Sequence, residues 1–325
     1  TGNHDVMSKR GKMPAAIGGG LISNIEGVRK YMKLHYDSIA ELVELATENN
    51  TTISRIVLEE QARQMEKAPE EVYQNMENCL SVMEASIKGG LDPELRSSSG
   101  LSGGSSYRVK KRVDENKNLY GHLFGTAMYM ALAVSEYNSA MGQIVAAPTA
   151  GSCGILPAAL ISVMQEHEIE REKVVMAMFT ASAVGMVIAK NASISGAEGG
   201  CQAECGSASA MAAAALTELM GGTPEMAGHS CAIALKNILG LVCDPVAGLV
   251  EVPCIKRNAM GVANAFTASE LASAGVTSAI PADEVIIAMK KIGNEMSASL
   301  KETAEGGLAA TPTGCRLCKK IFSKE

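Results

Sequence analysis

Nine cysteines stand in this 325-residue sequence, and four segments set some of them beside side chains able to bind or activate a small molecule. Ala147-Pro148-Thr149-Ala150-Gly151-Ser152-Cys153-Gly154 is a small-residue turn leading into a predicted helix with Pro157 near its first turn. Such a turn exposes backbone N–H groups where a carboxylate can sit. Lys190 to Cys205 reads KNASISGAEGGCQAEC, an apolar helix that ends in dense polar side chains. Polar groups beside a core need partners, so the stretch reads as a site rather than loop filler. Leu241 to Asn258 places Cys243 and Cys254 eleven apart around an irregular Pro- and Gly-containing segment and closes on Arg257-Asn258. The fourth segment is the tail from Thr311 to Cys318, with Cys315 and Cys318.

A cysteine can be a metal ligand, a nucleophile or a small core residue. Cys79, Cys153 and Cys231 read as core packing. The only close pairs are Cys201 with Cys205 and Cys315 with Cys318, more than a hundred residues apart, which argues against a structural zinc site. An odd count at irregular spacing, with no signal peptide, argues against a disulfide framework and for a reducing cytoplasm.

These segments must be held by helices. Trp is absent, aromatics make up 3%, and Met reaches 19 residues, so Ala, Leu, Ile, Val and Met fill the core. That filling favours close-packed helices over sheets. The expected fold is mainly α, a compact multi-helix domain with glycine-rich active-site loops, and residues 1–35 are an N-terminal segment or linker before a helical domain over 36–325. Apolar residues return every three or four positions from Ile22 to about Ile87, with Thr51 and Thr52 as helix caps. Ser97 to Ser106 form a glycine-rich polar loop. Beyond it, Leu119 to Met141, Leu156 to Met164, Val174 to Ala189, Ala208 to Met220 and Ala232 to Leu239 read as buried helices. Asn258 to Ala274, Asp283 to Met296 and Leu308 to Glu325 continue the pattern. The 16-residue run Val174 to Ala189 falls short of the roughly 17 to 25 a membrane span needs. A net charge of -6 and the lack of a Lys/Arg block exclude nucleic acid as a partner.

The strings NASISGAEGGCQAECGSASAMAAAA, LKNILGLVCDPVAGLVEVPCIKRNA and GGLAATPTG resemble the alpha chain of iron-sulfur L-serine dehydratases, and the resemblance runs over about residues 36 to 325. It implies a catalytic domain with a 4Fe-4S cluster on Cys201, Cys243 and Cys254, separated by 42 and 11 positions and therefore on different loops. Three thiolates leave one iron open as a Lewis acid, which suits elimination of water from L-serine to pyruvate and ammonia. On the same resemblance Arg257, with Asn258, binds the substrate carboxylate, Thr149 and Ser152 hold it against the helix start, and Asn191, Ser193 and Ser195 orient the amino and hydroxyl groups.

The family's SSHT histidine lies in a beta chain or N-terminal beta domain, and no such string occurs here, so the base is expected from a partner within an oligomer. Lys110 is the weaker candidate inside the chain, while His122, His167 and His229 read as satisfied or exposed. Two departures stand out. Family cysteines that plug the open iron sit at the extreme C-terminus, whereas Cys315 and Cys318 lie inside the tail, and Cys205 replaces a Val common in relatives, one helical turn from Cys201. Removal of the β-substituent from L-cysteine or L-threonine, or a non-catalytic subunit, are the alternatives. A pyridoxal-phosphate loop is resembled by Ile17 to Ser23, but only Lys9 and Lys12 precede it; a radical enzyme would want a third cysteine where Ala208 stands.

Overall fold

The computed structural model describes residues 35–323, and among them thirteen α-helices and no strand are found. Most of the expected linker, with Lys9, Lys12 and the Ile17 to Ser23 loop, lies outside the described residues.

The first helices are fixed by their caps. Helix α1 (Ile39–Glu48) starts at Ser38, whose Oγ accepts from Glu41 N at 3.1 Å, and its next N–H groups at Ile39 and Ala40 donate to Asp283 of a distant helix at 2.8 and 3.0 Å. Helix α2 (Ile53–Gln64) starts at Thr52, one of the two caps read from sequence, which accepts from Arg55 N. Helix α3 (Pro69–Gly90) begins with Pro at N1, where a missing N–H costs nothing. After the serine-glycine loop, α4 (Ser105–Asp114) begins on Gly104 at φ +68°, and its Ser105 and Ser106 N–H groups donate to the buried Glu136 carboxylate on α5 (Gly121–Ser139). A carboxylate at a helix N-terminus satisfies orphan donors and interacts favourably with the positive end of the helix dipole.

The centre of the bundle follows from side-chain size. After α6 (Ile155–Glu166), α7 (Arg171–Asn191) and the single-turn α8 (Gly196–Gly199) comes α9 (Ser207–Leu219), SASAMAAAALTEL, buried on every face from Ser207 to Thr217. A helix apolar all round belongs in a core. Its alanines let α6, α7, α10 (Pro224–Lys236) and α11 (Cys254–Ser273) approach closely. Gly261 of α11 is one consequence, since a Cβ there would stand 2.3 Å from Ile155. Helix α7, 21 residues long, extends past both ends of the Val174 to Ala189 run and so, contrary to the length expected from that run, is long and apolar enough to cross a membrane, yet 67% of its apolar window is buried inside the bundle. Helices α12 (Ala282–Glu295) and α13 (Pro312–Phe322) complete the chain.

Three boundaries differ from the periodicity. Leu119 and Tyr120 are exposed at 85% and 61%, because α5 starts only at Gly121, whose φ of +79° breaks the backbone there. The helix read from Ala232 starts at Pro224 under a Thr223 cap, hidden in sequence by the polar Gly228-His229-Ser230 stretch. The tail helix starts at Pro312, not Leu308, capped by Thr311 Oγ1.

Candidate active site

The segment after α7 is built on glycine. Asn191 ends that helix, its amide donating to Val187 O and Asp37 O at 2.9 and 2.8 Å. Ser193 Oγ accepts from Ser195 N, which turns the chain into α8. Gly200, at φ +77°, then places Cys201 at the head of a π-helical turn, Gln202 to Gly206, that runs straight into α9. Gln202 locks this turn: its amide donates to Gly199 O and Met289 O and its Oε1 accepts from Gly240 N, joining α8, α12 and the approach to Cys243. π-turns of this kind recur at functional sites.

Cys243 is fixed through its backbone, its N–H donating to Leu300 O and its carbonyl accepting from Glu302 N, an isolated parallel bridge. Cys254 is the first residue of α11, where a helix N-terminus favours negative sulfur. Cys201, Cys243 and Cys254 are all buried, belong to three different segments, and feel one another's charge. Burial pushes the Cys254 thiol up to about 12 and raises Cys243 further. Cys201 goes the other way: its hydrogen bond with Cys205, 3.5 Å away, pulls its titration down against the cost of burial, and the Arg257 guanidinium beside it adds to the pull. Among the described residues no three His, Cys, Asp or Glu side chains converge as they would on a single metal ion.

Between the thiols lies Glu204, a residue the sequence reading did not single out. Its Oε1 accepts from Thr149 Oγ1 at 2.7 Å and its Oε2 lies 3.8 Å from Cys243 Sγ; desolvation raises its titration. Gly151 and Gly196 make room for it, because a Cβ at either would stand 2.9 or 2.8 Å from a carboxylate oxygen. The signal for it in sequence was a lone carboxylate inside QAECGSASAMAAAA, where small apolar residues on every side leave no route to solvent.

The expected site residues divide in two. Thr149, Ser152, Ser193, Ser195 and Arg257 flank the thiol segments; the Thr149 hydroxyl donates to Glu204 and lies 3.2 Å from Ser152 Oγ, while Ser193 Oγ, which accepts from Ser195 N, and the Arg257 guanidinium retain donor capacity. Arg257 is anchored, donating to Val242 O at 2.7 Å and to Asp244 at 2.9 Å. Asn258 commits its whole amide to backbone, accepting from Gly154 N and donating to Gly151 O and Cys254 O, so it joins the Thr149 turn to the start of α11. Asn191 likewise spends both amide hydrogens on backbone. Lys110 is on the surface of α4, paired with Asp114 at 2.6 Å and 5.8 Å above the Tyr129 ring, and touches none of the cysteine segments. His122 pairs with Glu166, His229 accepts from Ser278 N, and His167 is exposed. Cys153 and Cys231 are fully buried core residues; Cys315 is exposed and Cys318 half-buried on α13.

Among the described residues, an all-helical core that brings three buried thiols, a buried carboxylate and a guanidinium to the ends of three segments outlines a thiol-lined candidate site. A family model described as serine dehydratase alpha chain matches residues 48–309, and the chain belongs to that family. It is 52% identical over 88% of its length to a probable L-serine dehydratase alpha chain of Bacillus subtilis (strain 168), covering 95% of that relative. It is 45% identical over 88% of its length to the L-serine dehydratase alpha chain of Peptoniphilus asaccharolyticus, covering 97%. With the L-serine dehydratase of Streptomyces coelicolor it shares 37% identity over 92% of its own length but only 68% of that longer protein.

Proposed function

We propose that this chain is the catalytic half of a 4Fe-4S-dependent L-serine dehydratase, which together with a beta-type partner eliminates water from L-serine to give pyruvate and ammonia in a reducing cytoplasm. The observation that carries the reading is the meeting of Cys201, Cys243 and Cys254 around Glu204 and Arg257. The donor set fits the cluster. Thiolates are the ligands of iron-sulfur centres, all three thiols are free of disulfides, and the Arg257 cation offsets negative charge gathered at Cys201. When bound, such a cluster supplies a Lewis-acid iron toward the substrate hydroxyl.

The remaining work falls to side chains. Thr149, which caps the 3-10 turn before α6, and Ser152 on that turn receive the substrate carboxylate by turning their hydroxyls away from Glu204 and from each other, and the anchored Arg257 adds its charge and its uncommitted N–H groups. Ser193 and Ser195 orient the amino and hydroxyl groups, while Asn191 and Asn258 act through the backbone they hold. Abstraction of the α-proton is assigned to a base on the partner, because Lys110, the in-chain candidate, is paired with Asp114, and His122, His167 and His229 are engaged or exposed elsewhere. The alpha-chain names of two relatives and the extra third of the Streptomyces protein support a divided enzyme; in this reading it works as an oligomer, without nucleic acid or membrane.

The test is to purify the chain without oxygen, count iron and sulfide, and assay pyruvate from L-serine with and without the partner. About four irons per chain and activity only with the partner are expected. Colourless, iron-free protein would sink the cluster; iron with turnover of L-threonine or L-cysteine alone would keep the site and change the substrate.

A further inference from the structure

We infer that Cys201 and Cys205 form a reversible thiol-disulfide pair, a modification site whose closure competes with iron at Cys201. Their sulfurs are 3.5 Å apart and both residues are buried, held face to face by the π-turn from Gln202 to Gly206. Residues four apart share a helix face. A disulfide needs its sulfurs about 2.05 Å apart, so closure asks about 1.5 Å of movement. Side-chain rotation and a slight tightening of the turn supply that without unfolding α9. Gln202 holds the backbone on one side and α9 on the other, which keeps the pair in register.

The oxidant is a peroxide. Cys201 sulfur attacks one oxygen of hydrogen peroxide, the O–O bond breaks, and a sulfenic acid and one water result once the thiol proton is counted. Cys205 sulfur then attacks that sulfenic sulfur; the S–S bond forms, the S–O bond breaks, and the oxygen leaves with the Cys205 proton as a second water. Two thiols and one peroxide thus give one disulfide and two waters, the sulfurs losing the two electrons that the peroxide gains. A small dithiol reverses the step by exchange. Cys205 thereby stops Cys201 from climbing to the sulfinic and sulfonic acids, which a reductant does not restore. The disulfide rests on the sulfur geometry alone; the competition with iron rests on the proposed ligand role of Cys201.

The experiment uses the full chain, stripped of iron by a chelator without oxygen, treated with a small excess of hydrogen peroxide and then alkylated. Trypsin releases Asn191 to Lys236 as one peptide carrying Cys201, Cys205 and Cys231. The expected product has lost two hydrogens and is alkylated only at Cys231; after dithiothreitol it is alkylated at all three. In Cys205→Ala, and in Cys205→Ser should the first fold poorly, Cys201 is expected to gain two or three oxygens instead. Full alkylation of Cys201 and Cys205 in the oxidised chain, or a bond from Cys201 to Cys243, would overturn the pair. Ferrous iron and sulfide are then added to the oxidised chain. Little uptake before dithiothreitol and full uptake after it supports the competition, whereas full uptake with the disulfide intact overturns the competition and removes Cys201 from the ligand set.

Discussion

Arg257, half-buried, and the buried Asp244 form an ion pair at 2.9 Å, in which the guanidinium also donates to Val242 O and the other carboxylate oxygen accepts from Leu308 N at 2.8 Å. The pair ties the residue after one proposed ligand to the helix that begins with another, and both to the GGLAA segment of the tail. Gly307 follows from it, since a Cβ there would stand 2.4 Å from the carboxylate.

Truncating one partner of a buried pair strands the other charge, at a cost of about 3–5 kcal/mol. Arg257→Ala is therefore expected to lower the denaturant midpoint and the iron content together, and Asp244→Asn to do the same. In the double variant the two losses should fall well short of their sum. If Arg257→Ala instead raised only the serine KM with stability and iron unchanged, the anchoring role would be lost and the residue would be a plain substrate contact.

Gly196 and Gly206 make a matched pair for the next test. A Cβ on Gly196 would stand 2.8 Å from Glu204 Oε2 and 2.9 Å from Cys243 Sγ, while a Cβ on Gly206 meets only Ile238 and Leu235 at 3.8–3.9 Å. Overpacking of a filled site costs about 1–3 kcal/mol. Gly196→Ala should lower thermal stability by that amount and lower iron per chain; Gly206→Ala should leave both near the parent. Equal behaviour of the two would show that the space around Glu204 is slack.

Glu60 on α2 supplies the pH-dependent case, away from the thiols. It is 2% exposed, and burial raises its carboxyl above the ordinary range, countered by neighbouring Tyr36, His35, Arg63 and Gln64. Because the folded state favours the protonated form, this group's contribution to stability is full below about pH 4.3 and is lost as pH rises through its folded titration. Glu60→Gln, which is neutral throughout, should melt higher than the parent at pH 8, with the gap narrowing as pH falls toward 4. Thermal melts across that range check it; a gap that is constant or widens in acid refutes the assignment.

The core and the thiols were legible for different reasons. Helices such as α7 and α9 announced themselves because their burial is local, a matter of small and apolar residues in one run. Cys201, Cys243 and Cys254 were picked out only through motif resemblance, since nothing in a spacing of 42 and 11 says that their three segments lie near one another. Asn258 shows the limit: its partners Gly151 and Gly154 lie more than a hundred positions upstream, so an amide that looked free for a ligand turns out to be spent on backbone. Glu204 and Gln202 could have been found by asking how a carboxylate and an amide survive beside an alanine-rich helix. Leu119 misled because apolarity was taken for burial, where the break at Gly121 decides.

The serine-glycine loop also has a role that its composition concealed. Ser99 and Ser102 donate to the two oxygens of Glu251 at 2.7 and 2.5 Å, and Glu251 is buried between Cys243 and Cys254. Ser98 N adds a bond to Ser139 O, and Ser139 Oγ one to Val250 O, so the loop is clamped to the backbone that carries the proposed ligands. Hydrogen bonds to a charged acceptor contribute about 1.5–3 kcal/mol. Ser102→Ala should lose roughly that much, and Ser99→Ala should lose less, since its bond is the longer. Because both hydroxyls satisfy one carboxylate, the double variant should lose more than the two singles combined, leaving Glu251 buried and stripped of both donors. Amide exchange at Leu101 and Ser102, followed by mass spectrometry, reads the clamp directly: faster exchange there with α9 unchanged locates the effect in the loop, while unchanged exchange would mean that backbone contacts alone hold it.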